Sequence, residues 1–513
     1  MNKFTYILIL IASIVNSGCS KFLDVKPVGR LIPSKVEELE NILYSTNTID
    51  YHFIDNNRGC FYAFLGDNIR VSSNEAKYLY TNTHPNVDRI AAYTYYHPYT
   101  NPNTPQYTWD WGVYKAVSLF NVVIDEVSSL NAKDSELGKI ITAQAKAGRA
   151  WSLMVAGLGY GPMYNPNAAN DQKVIPYRKA SSPIVPNPAL STTKELMDLI
   201  EQDLLEALDA PLVVGNPTRA SLPAVHGLLA QLYMYKRDWE KMSEHAEEGW
   251  RLALGSKGGA DQLIYNFNQF SYRADPNASP SPGTDVEVGL ELEGPDKFLR
   301  QSFNREQLFY RPAARSWDNY PSEDFIDLFD KTSDRRYKLF ALKDLGYSVT
   351  VGGQKYDDGV QLYYHRDSKL LANQGLTFPE LLLMKAEANG RLNKLNQALT
   401  DLNLLRKYRY SGSTDLPNGS ALSQDQLLTE ILKERRREMP MGTFQRTFDI
   451  KRLAFDAGKP WSKSKIEHSL HGKTYTAELN SKFFTLEINN PTINMNPSWG
   501  LQPNLNPYLP VSN

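Results

Sequence analysis

The chain has 513 residues, of which 42% are hydrophobic and 22% are charged, and its formal net charge is −1 at pH 7. This length and composition predict a globular protein with a large core and about three domains at most. The near-neutral charge argues against a nucleic-acid partner, because phosphate binding needs clustered Lys and Arg. The 30 Tyr and 8 Trp are less ordinary, since aromatic side chains with a polar group suit partly exposed contact surfaces.

The first 18 residues have the pattern of a secretion signal. Lys3 supplies a positive charge, and the apolar run from Tyr6 to Val15 is too short to span a bilayer. Ser17 and Gly18 precede Cys19, as at a bacterial lipoprotein cleavage site. Cleavage there would leave Cys19 as a lipid-bearing first residue, and its acyl chains (palmitate) would anchor the protein stably. The alternative is plain secretion with cleavage elsewhere.

Cys60 would then be the only other cysteine of the mature chain, so no intrachain disulfide is expected. We expect Cys60 to be a buried small hydrophobic residue. No later segment approaches 18 consecutive apolar residues, which predicts a protein that is tethered to a membrane but does not span it.

Helical periodicity begins early and is then interrupted. Residues 34–45 predict a short first helix, whereas residues 61–106 lose the helical period. Within residues 93–111 the sequence reads YTYYHPYTNPNTPQYTWDW, and its three prolines exclude a helix. We predict a long aromatic loop here, and loops of this length in compact domains are usually functional.

A series of helices is predicted next. Trp111, Tyr114 and Asn121 open a helix to about Leu130. The helices that follow are expected at 143–160, 193–208 and 221–235, with a partner helix to residue 252, and a Pro-rich connection at 162–190. We assign Trp111, Tyr114, Trp151 and Trp239 to the helical core.

The pair of helices around residue 235 has a counterpart later in the chain. LLAQLYMYKRDWEKMSEHAEE aligns loosely with LLMKAEANGRLNKLNQALTDLN. Ala230 and Ala386 each lie nine residues before the apolar residue, Trp239 or Leu395, that opens the partner helix. A degenerate repeat of this kind is typical of stacked helix pairs that cannot bury their apolar faces singly.

Residues 255–320 lack periodicity and are rich in Pro, Gly, Ser and aromatic residues. After a short helix near residue 325, Tyr347–Tyr364 alternates weakly around Gly352-Gly353, which predicts a small β-hairpin. Residues 488–508 are rich in Asn and Pro and are expected to be coil.

The most ordered part of the chain is predicted at residues 376–453. Ser423 and Gln426 form a capping-box pattern at the start of one helix. Further along that helix, Arg435 shares a face with apolar residues, so it needs a buried carboxylate partner such as Asp449. We interpret the cluster of Arg and Glu here as structural rather than catalytic.

These motifs carry a family resemblance. KAEANG in a helix pair, followed by ERRRE and DIKR, resembles the SusD/RagB family of bacterial outer-membrane nutrient-binding lipoproteins. FLDVKP at 22–27, GRAWSLMVAGLGYGPMY and the Pro- and Asn-rich C-terminal segment are similar to the family as well. The resemblance covers most of residues 19–513 as a single unit, with an N-terminal part at roughly 20–210 and a C-terminal part at roughly 270–513.

The resemblance implies a mainly α fold, a right-handed stack of about four tetratricopeptide-like helix pairs with long irregular loops. It implies a lipid-anchored protein on the outer face of the outer membrane that captures an oligosaccharide and works with a SusC-like TonB-dependent transporter. Two alternatives stay open: a peptide-binding protein of the RagB type, and an anchored glycoside hydrolase.

We expect the ligand to be bound by aromatic loops, because a sugar ring stacks on Trp or Tyr while amides and carboxylates bind its hydroxyls. The candidate residues are Tyr95, Tyr96, Tyr99, Asn101 and Trp109 in the first loop and Trp317, Asp318 and Tyr320 in the second. The alternative for each residue is a packed loop anchor.

No catalytic or metal-binding motif is evident. The His residues lack metal-ligand spacing, and Gly157, Gly159 and Gly161 end a helix where a dinucleotide motif should begin one. We therefore expect no cofactor, no metal and no enzymatic activity, although a pair of glycosidase carboxylates need not be close in sequence.

Overall fold

The computed structural model describes residues 33–45, 48, 60–79, 87–273, 283, 291–299, 301–313, 320–370 and 372–508. The α-helices in chain order are α1 (Leu39–Tyr44), α2 (Ser73–Leu79), α3 (Val87–Tyr93), α4 (Tyr114–Ser129), α5 (Glu136–Tyr160), α6 (Thr193–Leu205), α7 (Leu222–Lys236), α8 (Trp239–Lys257), α9 (Glu323–Ile326), α10 (Arg335–Phe340), α11 (Arg366–Lys369), α12 (Phe378–Arg391), α13 (Leu395–Arg409), α14 (Gln424–Glu438), α15 (Gln445–Leu453) and α16 (Asn490–Met495). Pairs of α-helices dominate the architecture, which confirms the prediction of a mainly α fold.

Short two-stranded antiparallel pairs connect the helices. The strands are β1 (Ile69–Arg70), β2 (Lys173–Pro176), β3 (Leu190–Thr192), β4 (Ser271–Arg273), β5 (Glu291–Glu293), β6 (Gln307–Phe309), β7 (Tyr320–Pro321), β8 (Ala341–Leu345), β9 (Ser348–Val351), β10 (Gln354–Asp357), β11 (Val360–Tyr364), β12 (Leu376–Thr377), β13 (Lys465–Leu470) and β14 (Lys473–Glu478). The pairs are β1–β7, β2–β3, β4–β5, β6–β12, β8–β11, β9–β10 and β13–β14. The predicted hairpin around Gly352-Gly353 is the pair β9–β10, and the pair β8–β11 flanks it in sequence.

Consecutive helices pack as pairs, and the pairs pack on one another. α4 contacts α5, α7 contacts α8, and α12 contacts α13, while α8 and α12 join the second pair to the third. Close approach in the first pair depends on Gly148, because a Cβ there would lie 2.3 Å from the Phe120 ring. The repeat seen in the sequence at α7–α8 and α12–α13 is therefore a repeat of helix pairs.

Local sequence signals explain where these helices begin. Thr377 and Glu380 form a capping box at the start of α12, and Ser423 and Gln426 form the predicted one at the start of α14. Each box satisfies N–H groups that the first helical turn leaves without partners.

Three expectations for local structure differ from what is observed. Residues 61–106 are not devoid of helix, because a 3-10 turn at Phe61–Leu65, α2 and α3 all lie there. Their short lengths hide the periodicity, which needs longer windows to be recognised. The helix predicted to begin at Ala143 begins at Glu136, capped by the Ser135 hydroxyl. Residues 488–508 contain α16 in addition to coil.

The predicted core residues are mostly confirmed. Cys60 is 5% exposed and Trp151 is 1% exposed, with the Trp151 ring packed edge-on against Phe309. Trp239 is only partly buried and lies between the guanidinium groups of Arg237 and Arg391, at 5.2 and 4.7 Å from its ring. Trp111 is 53% exposed, so its assignment to the core was wrong.

Candidate functional site

The charged cluster at the end of α14 is buried and internally paired. Glu438 accepts hydrogen bonds from Arg336, Arg366 and Arg409, at 3.0, 2.9 and 2.9 Å. Burial raises the pKa of Glu438, but the three guanidinium charges outweigh it and hold this pKa at about 2. A carboxylate so enclosed joins four segments of the chain and has no access to a ligand, which supports the structural interpretation of this cluster.

A second buried cluster follows in α15. Asp449 accepts from Arg435 and Arg452 at 2.8 and 2.7 Å, and Arg452 makes two hydrogen bonds to Glu387 of α12. The predicted contact between Arg435 and Asp449 is therefore confirmed.

Most of the predicted ligand-binding aromatic residues in the described chain are buried. Tyr95, Tyr99, Trp109 and Tyr320 are 6%, 3%, 5% and 0% exposed. The hydroxyls of Tyr95 and Tyr99 donate to the carbonyl oxygens of Leu65 and Phe483, at 3.2 and 2.7 Å. In this structure these side chains anchor their loops and offer no open ring face to a ligand.

Trp109 and Tyr320 are fixed in the same way. The Trp109 ring contacts the rings of Tyr114, Tyr160 and Trp499, with centroids 4.5 to 6.4 Å away. The Tyr320 hydroxyl donates to Asp358 at 2.9 Å. Packed loop anchors were the alternative interpretation of these residues, and burial is the physical reason to prefer it.

The remaining predicted positions are divided between the surface and the undescribed segments. Tyr96 and Asn101 are partly exposed, and the Tyr96 hydroxyl lies 3.4 Å from the Pro507 carbonyl oxygen. Trp317, Asp318 and the lipidation residue Cys19 lie outside the described residues.

The described residues also form an open cleft of about 630 Å³. It lies between β1, the start of α9 and strand β13, and its wall includes Asp67, Arg70, Asp324, Lys463 and Glu467. Its volume is within the range of about 300–1,000 Å³ that is typical of small-molecule sites. We refer to it below as the β1–β13 cleft.

Asp67 fixes one wall of this cleft. Its carboxylate accepts two hydrogen bonds from Arg446, at 2.7 and 2.9 Å, and one from Lys463 at 2.8 Å. Burial raises the pKa of Asp67, but the charges of Arg446, Arg436 and Lys463 outweigh it, so this pKa lies well below its usual range. The ionised carboxylate holds α14, α15 and the base of β13 in a fixed relation.

Arg70, on β1 next to Asp67, brings to the cleft a guanidinium with unused donors. Arg70 donates one hydrogen bond to Gln361 at 2.9 Å and lies over the Tyr320 ring at 5.0 Å. Within the described residues, Arg70 makes no ion pair and its other N–H groups have no hydrogen-bond partner. Because a guanidinium has five donors in a planar fork, Arg70 can bind oxygen atoms of a ligand in the cleft.

The cleft also offers charged groups to solvent. Lys463 is 39% exposed and lies 3.6 Å from Asp324, whose side chain is 71% exposed. Glu467 pairs with Lys465 at 2.7 Å on the exposed side of β13. The cleft is therefore lined by both donors and acceptors, which a hydroxyl-rich or peptide ligand can use.

Buried aromatic residues support strand β13 from below. The His468 ring stacks on Tyr93 at 4.2 Å, and its two nitrogens lie 2.7 and 2.8 Å from the carbonyl oxygens of Tyr93 and Gly66. These contacts tie β13 to α3 and to the segment before β1, so the floor of the cleft is rigid.

Sequence analysis did not identify the cleft residues. Asp67, Arg70, Asp324 and Lys463 come from three distant parts of the chain, and none belongs to a recognisable motif. Among the described residues there is no group of three or more His, Cys, Asp or Glu that could hold a metal ion. The cleft is thus a hydrogen-bonding site without a metal-ligand set in the described chain.

The fold and this cleft define a class of proteins in which stacked helix pairs support a polar cleft formed by loops and short strands. Comparison with known proteins shows a similarity of the C-terminal part of the chain to one family. The model of the SusD family matches residues 378–510, the part of the chain that begins at α12.

Solved structures share the fold over nearly the whole chain. A SusD superfamily protein from Bacteroides thetaiotaomicron has a TM-score of 0.63 at 17% identity, covering 90% of this chain and 98% of its own. A putative sugar binding protein from Bacteroides vulgatus has the same TM-score and identity, with coverages of 90% and 96%. A SusD-like carbohydrate binding protein from Bacteroides vulgatus has a TM-score of 0.58 at 17% identity, covering 90% and 97%. No curated protein matches the chain in sequence.

In the parts of the chain that the structure describes, no helix is both long enough and apolar enough to cross a membrane.

Proposed function

We propose that the protein binds an oligosaccharide in the β1–β13 cleft and delivers it to a SusC-like TonB-dependent transporter in the outer membrane. The observation that carries this proposal is the cleft itself. Its volume of about 630 Å³ admits a ligand of several rings, and its rigid wall holds Arg70, Asp324 and Lys463 as donors and acceptors for hydroxyl groups.

The relatives support a carbohydrate ligand. Two of the solved structures with this fold are described as sugar or carbohydrate binding proteins, and the family model matches the C-terminal part of this chain. At 17% identity these relatives support the fold, and the ligand remains part of the proposal.

The proposal includes a lipid anchor at Cys19 and a position on the outer face of the outer membrane. It rests on the signal-like sequence before Cys19 and on the stability that several acyl chains give to membrane attachment. Mass spectrometry of the mature protein tests it, with an acylated N-terminal cysteine as the expected result and an unmodified N-terminus as the contrary one.

A peptide ligand is the second candidate, and one observation favours it. Among the described residues, strand β13 pairs only with β14, and Lys465, Glu467 and Ser469 of β13 line the cleft. An exposed strand edge can bind an extended peptide through main-chain hydrogen bonds. The charged pairs in the cleft would suit a peptide with charged side chains.

Calorimetric titration against a panel of oligosaccharides and a panel of peptides distinguishes the two ligands. We expect heat of binding from at least one oligosaccharide and none from the peptides; the reverse would favour the peptide candidate. Product analysis after long incubation tests the glycoside hydrolase alternative. Turnover that is abolished by a single carboxylate substitution would contradict a purely binding function.

Trp317 and Asp318 remain candidate ligand contacts, because they directly precede β7 in the sequence and β7 pairs with β1 of the cleft. We expect Trp317→Ala to weaken oligosaccharide binding without loss of stability. Unchanged affinity would remove Trp317 from the proposed site.

A further inference from the structure

Two histidines on different helices meet through their ring nitrogens. The Nδ1 atoms of His226 on α7 and His245 on α8 lie 3.0 Å apart, and the ring centroids lie 5.2 Å apart. Because the centroid separation is close to the nitrogen distance plus the two ring radii, the rings meet edge to edge, each through its Nδ1. No sequence spacing predicts this contact, since the two residues are 19 positions apart and belong to different helices.

The contact between the two rings uses a single proton. A neutral imidazole carries hydrogen on only one of its two nitrogens, so one Nδ1–H donates and the other Nδ1 accepts. Burial is the largest influence on both rings, and it lowers the pKa of His226 and the pKa of His245 below their ordinary value. Both rings are therefore neutral at pH 7, which is the form of imidazole that binds a metal ion.

Neighbouring residues hold the two rings in place. Gly249 of α8 permits the close approach of the helices, since a Cβ there would lie 3.2 Å from the His226 Cβ. The Tyr233 ring stacks on the His245 ring, with centroids 5.5 Å apart and an angle of 13° between the planes. The Tyr233 hydroxyl in turn donates to Glu201 of α6 at 2.8 Å. The His245 ring is therefore positioned by its surroundings before any ion binds.

The charges around the pair favour a cation. The charged side chains that act on the two rings are Glu201, Glu244, Glu248, Lys241 and Arg251. Arg251 donates two hydrogen bonds to Glu248, at 2.7 and 2.6 Å, and Lys241 pairs with Glu201 at 3.1 Å. Glu244 makes no ion pair within the described residues, and its charge raises the pKa of both rings. One negative charge therefore remains beside the two imidazoles.

The separation of the nitrogens fits two adjacent ligands of one metal ion. Imidazole nitrogens bind such ions at about 2.0–2.1 Å, so two of them lie about 2.9 Å apart at a right angle and about 3.4 Å apart at a tetrahedral angle. The observed 3.0 Å is closer to the right-angle value, which is typical of tetragonal Cu²⁺ and Ni²⁺ sites. His226 is partly exposed, so an ion can reach the nitrogens from solvent with a small rotation of each ring.

From this geometry we propose that His226 and His245 together bind one divalent transition-metal ion, with Cu²⁺ and Ni²⁺ preferred over Zn²⁺. Binding replaces the hydrogen bond between the rings: the donor ring releases its proton from Nδ1 and takes one up at Nε2, so that both Nδ1 lone pairs face the ion. No third His, Cys, Asp or Glu joins the pair within the described residues. Water fills the other positions, and the ion ties α7 to α8 reversibly.

Calorimetric titration of Ni²⁺ at neutral pH into the full-length protein without an affinity tag tests this site. His226→Gln and His245→Gln each remove one nitrogen ligand and should each weaken Ni²⁺ binding at least about tenfold, because even the loss of a group that only orients a metal ligand weakens binding about 10–100-fold. His471→Asn is the matched control. His471 is exposed in the β13–β14 turn with a φ of 51°, a conformation that Asn tolerates, and this variant should bind Ni²⁺ as the unmodified protein does.

Thermal melting without metal checks that each variant is folded. If a variant does not fold, electron paramagnetic resonance of the unmodified protein with one equivalent of Cu²⁺ decides the question, and coupling of the ion to two imidazole nitrogens is the expected result. Coupling to fewer than two, or undiminished Ni²⁺ binding in either folded variant, would overturn the inference and leave the contact between His226 and His245 as a hydrogen bond alone. Neither result bears on oligosaccharide binding in the β1–β13 cleft.

Discussion

Arg435 of α14 donates from Nε to Asp449 Oδ2 of α15 at 2.8 Å, and both side chains are 2% exposed. The second carboxylate oxygen of Asp449 accepts from Arg452, which in turn binds Glu387 of α12. Three helices are therefore joined through one line of buried charges. Burial makes each member of this line depend on the others.

Arg435→Ala should lower the free energy of unfolding by about 3–5 kcal/mol, because it removes one partner of a buried ion pair. Chemical denaturation measures the change. Arg251→Ala is the control, since Arg251 pairs with Glu248 at an exposed position and its loss should leave stability almost unchanged. Normal stability together with lost ligand binding in Arg435→Ala would contradict the structural role.

Asp67 should make the protein sensitive to acid. Its pKa is lowered in the folded protein, so the unfolded state binds more protons as the pH falls below the ordinary value of about 3.9. The stability that Asp67 contributes is complete above that pH and is lost as the pH falls toward the folded pKa.

Asp67→Asn should accordingly remove part of the loss of stability below about pH 4, while it lowers stability at neutral pH. Denaturation curves measured across this range test the effect. Identical pH profiles for the variant and the unmodified protein would show that Asp67 is not the responsible group.

Lys451 should act at the opposite end of the pH scale. Its ammonium nitrogen is buried, lies 3.0 Å from the Phe484 carbonyl oxygen and contacts the C-terminal end of α5 at Leu158 and Gly161. Burial lowers the pKa of Lys451 to about 7, whereas the unfolded value is about 10.4.

Between these two values the unfolded state binds more protons, so stability should rise with pH from about 7 toward 10. Lys451→Met should show a smaller rise over the same range. The comparison of the two pH profiles isolates Lys451 from tyrosines that titrate nearby. A profile that is unchanged by the substitution would contradict the assignment.

The two tryptophans at the start of α4 should behave in opposite ways. Trp109→Ala removes a packed ring and should cost about 3–5 kcal/mol of stability. Trp111→Ala removes an exposed ring and should cost less than about 1 kcal/mol. Equal losses in urea denaturation would be inconsistent with the observed burial of the two rings.

These tryptophans also show how far the sequence could predict the site. Residues 107–113 form a π-helical turn ahead of α4, and this turn directs Trp109 inward and leaves Trp111 outside. The sequence predicted a loop at Trp109 and an α-helix from Trp111, and neither directs the side chains as a π-helical turn does. Trp109 was therefore assigned to the ligand site and Trp111 to the core, the opposite of what is observed. Loop aromatics such as Tyr95 and Tyr99 misled it further, because their hydroxyls find carbonyl partners only in the folded chain.

The scaffold was more predictable for a physical reason. The helix pairs, the capping box at Ser423 and the pairing of Arg435 with Asp449 depend on periodicity, local hydrogen bonds and the cost of a buried charge, all of which the sequence contains. The cleft brings Asp67 together with Lys463 across almost 400 positions of the chain, and no local pattern records such a contact.

The most direct test of the account is calorimetric titration of the best oligosaccharide from the panel into the Arg70→Met variant. Arg70 has unused donors in the cleft, so the account predicts a loss of affinity of at least about tenfold, since a hydrogen bond to a charged group contributes about 1.5–3 kcal/mol. Arg251→Met, at an exposed site on α8, should bind as the unmodified protein does. Undiminished affinity in Arg70→Met would contradict the placement of the ligand in the β1–β13 cleft.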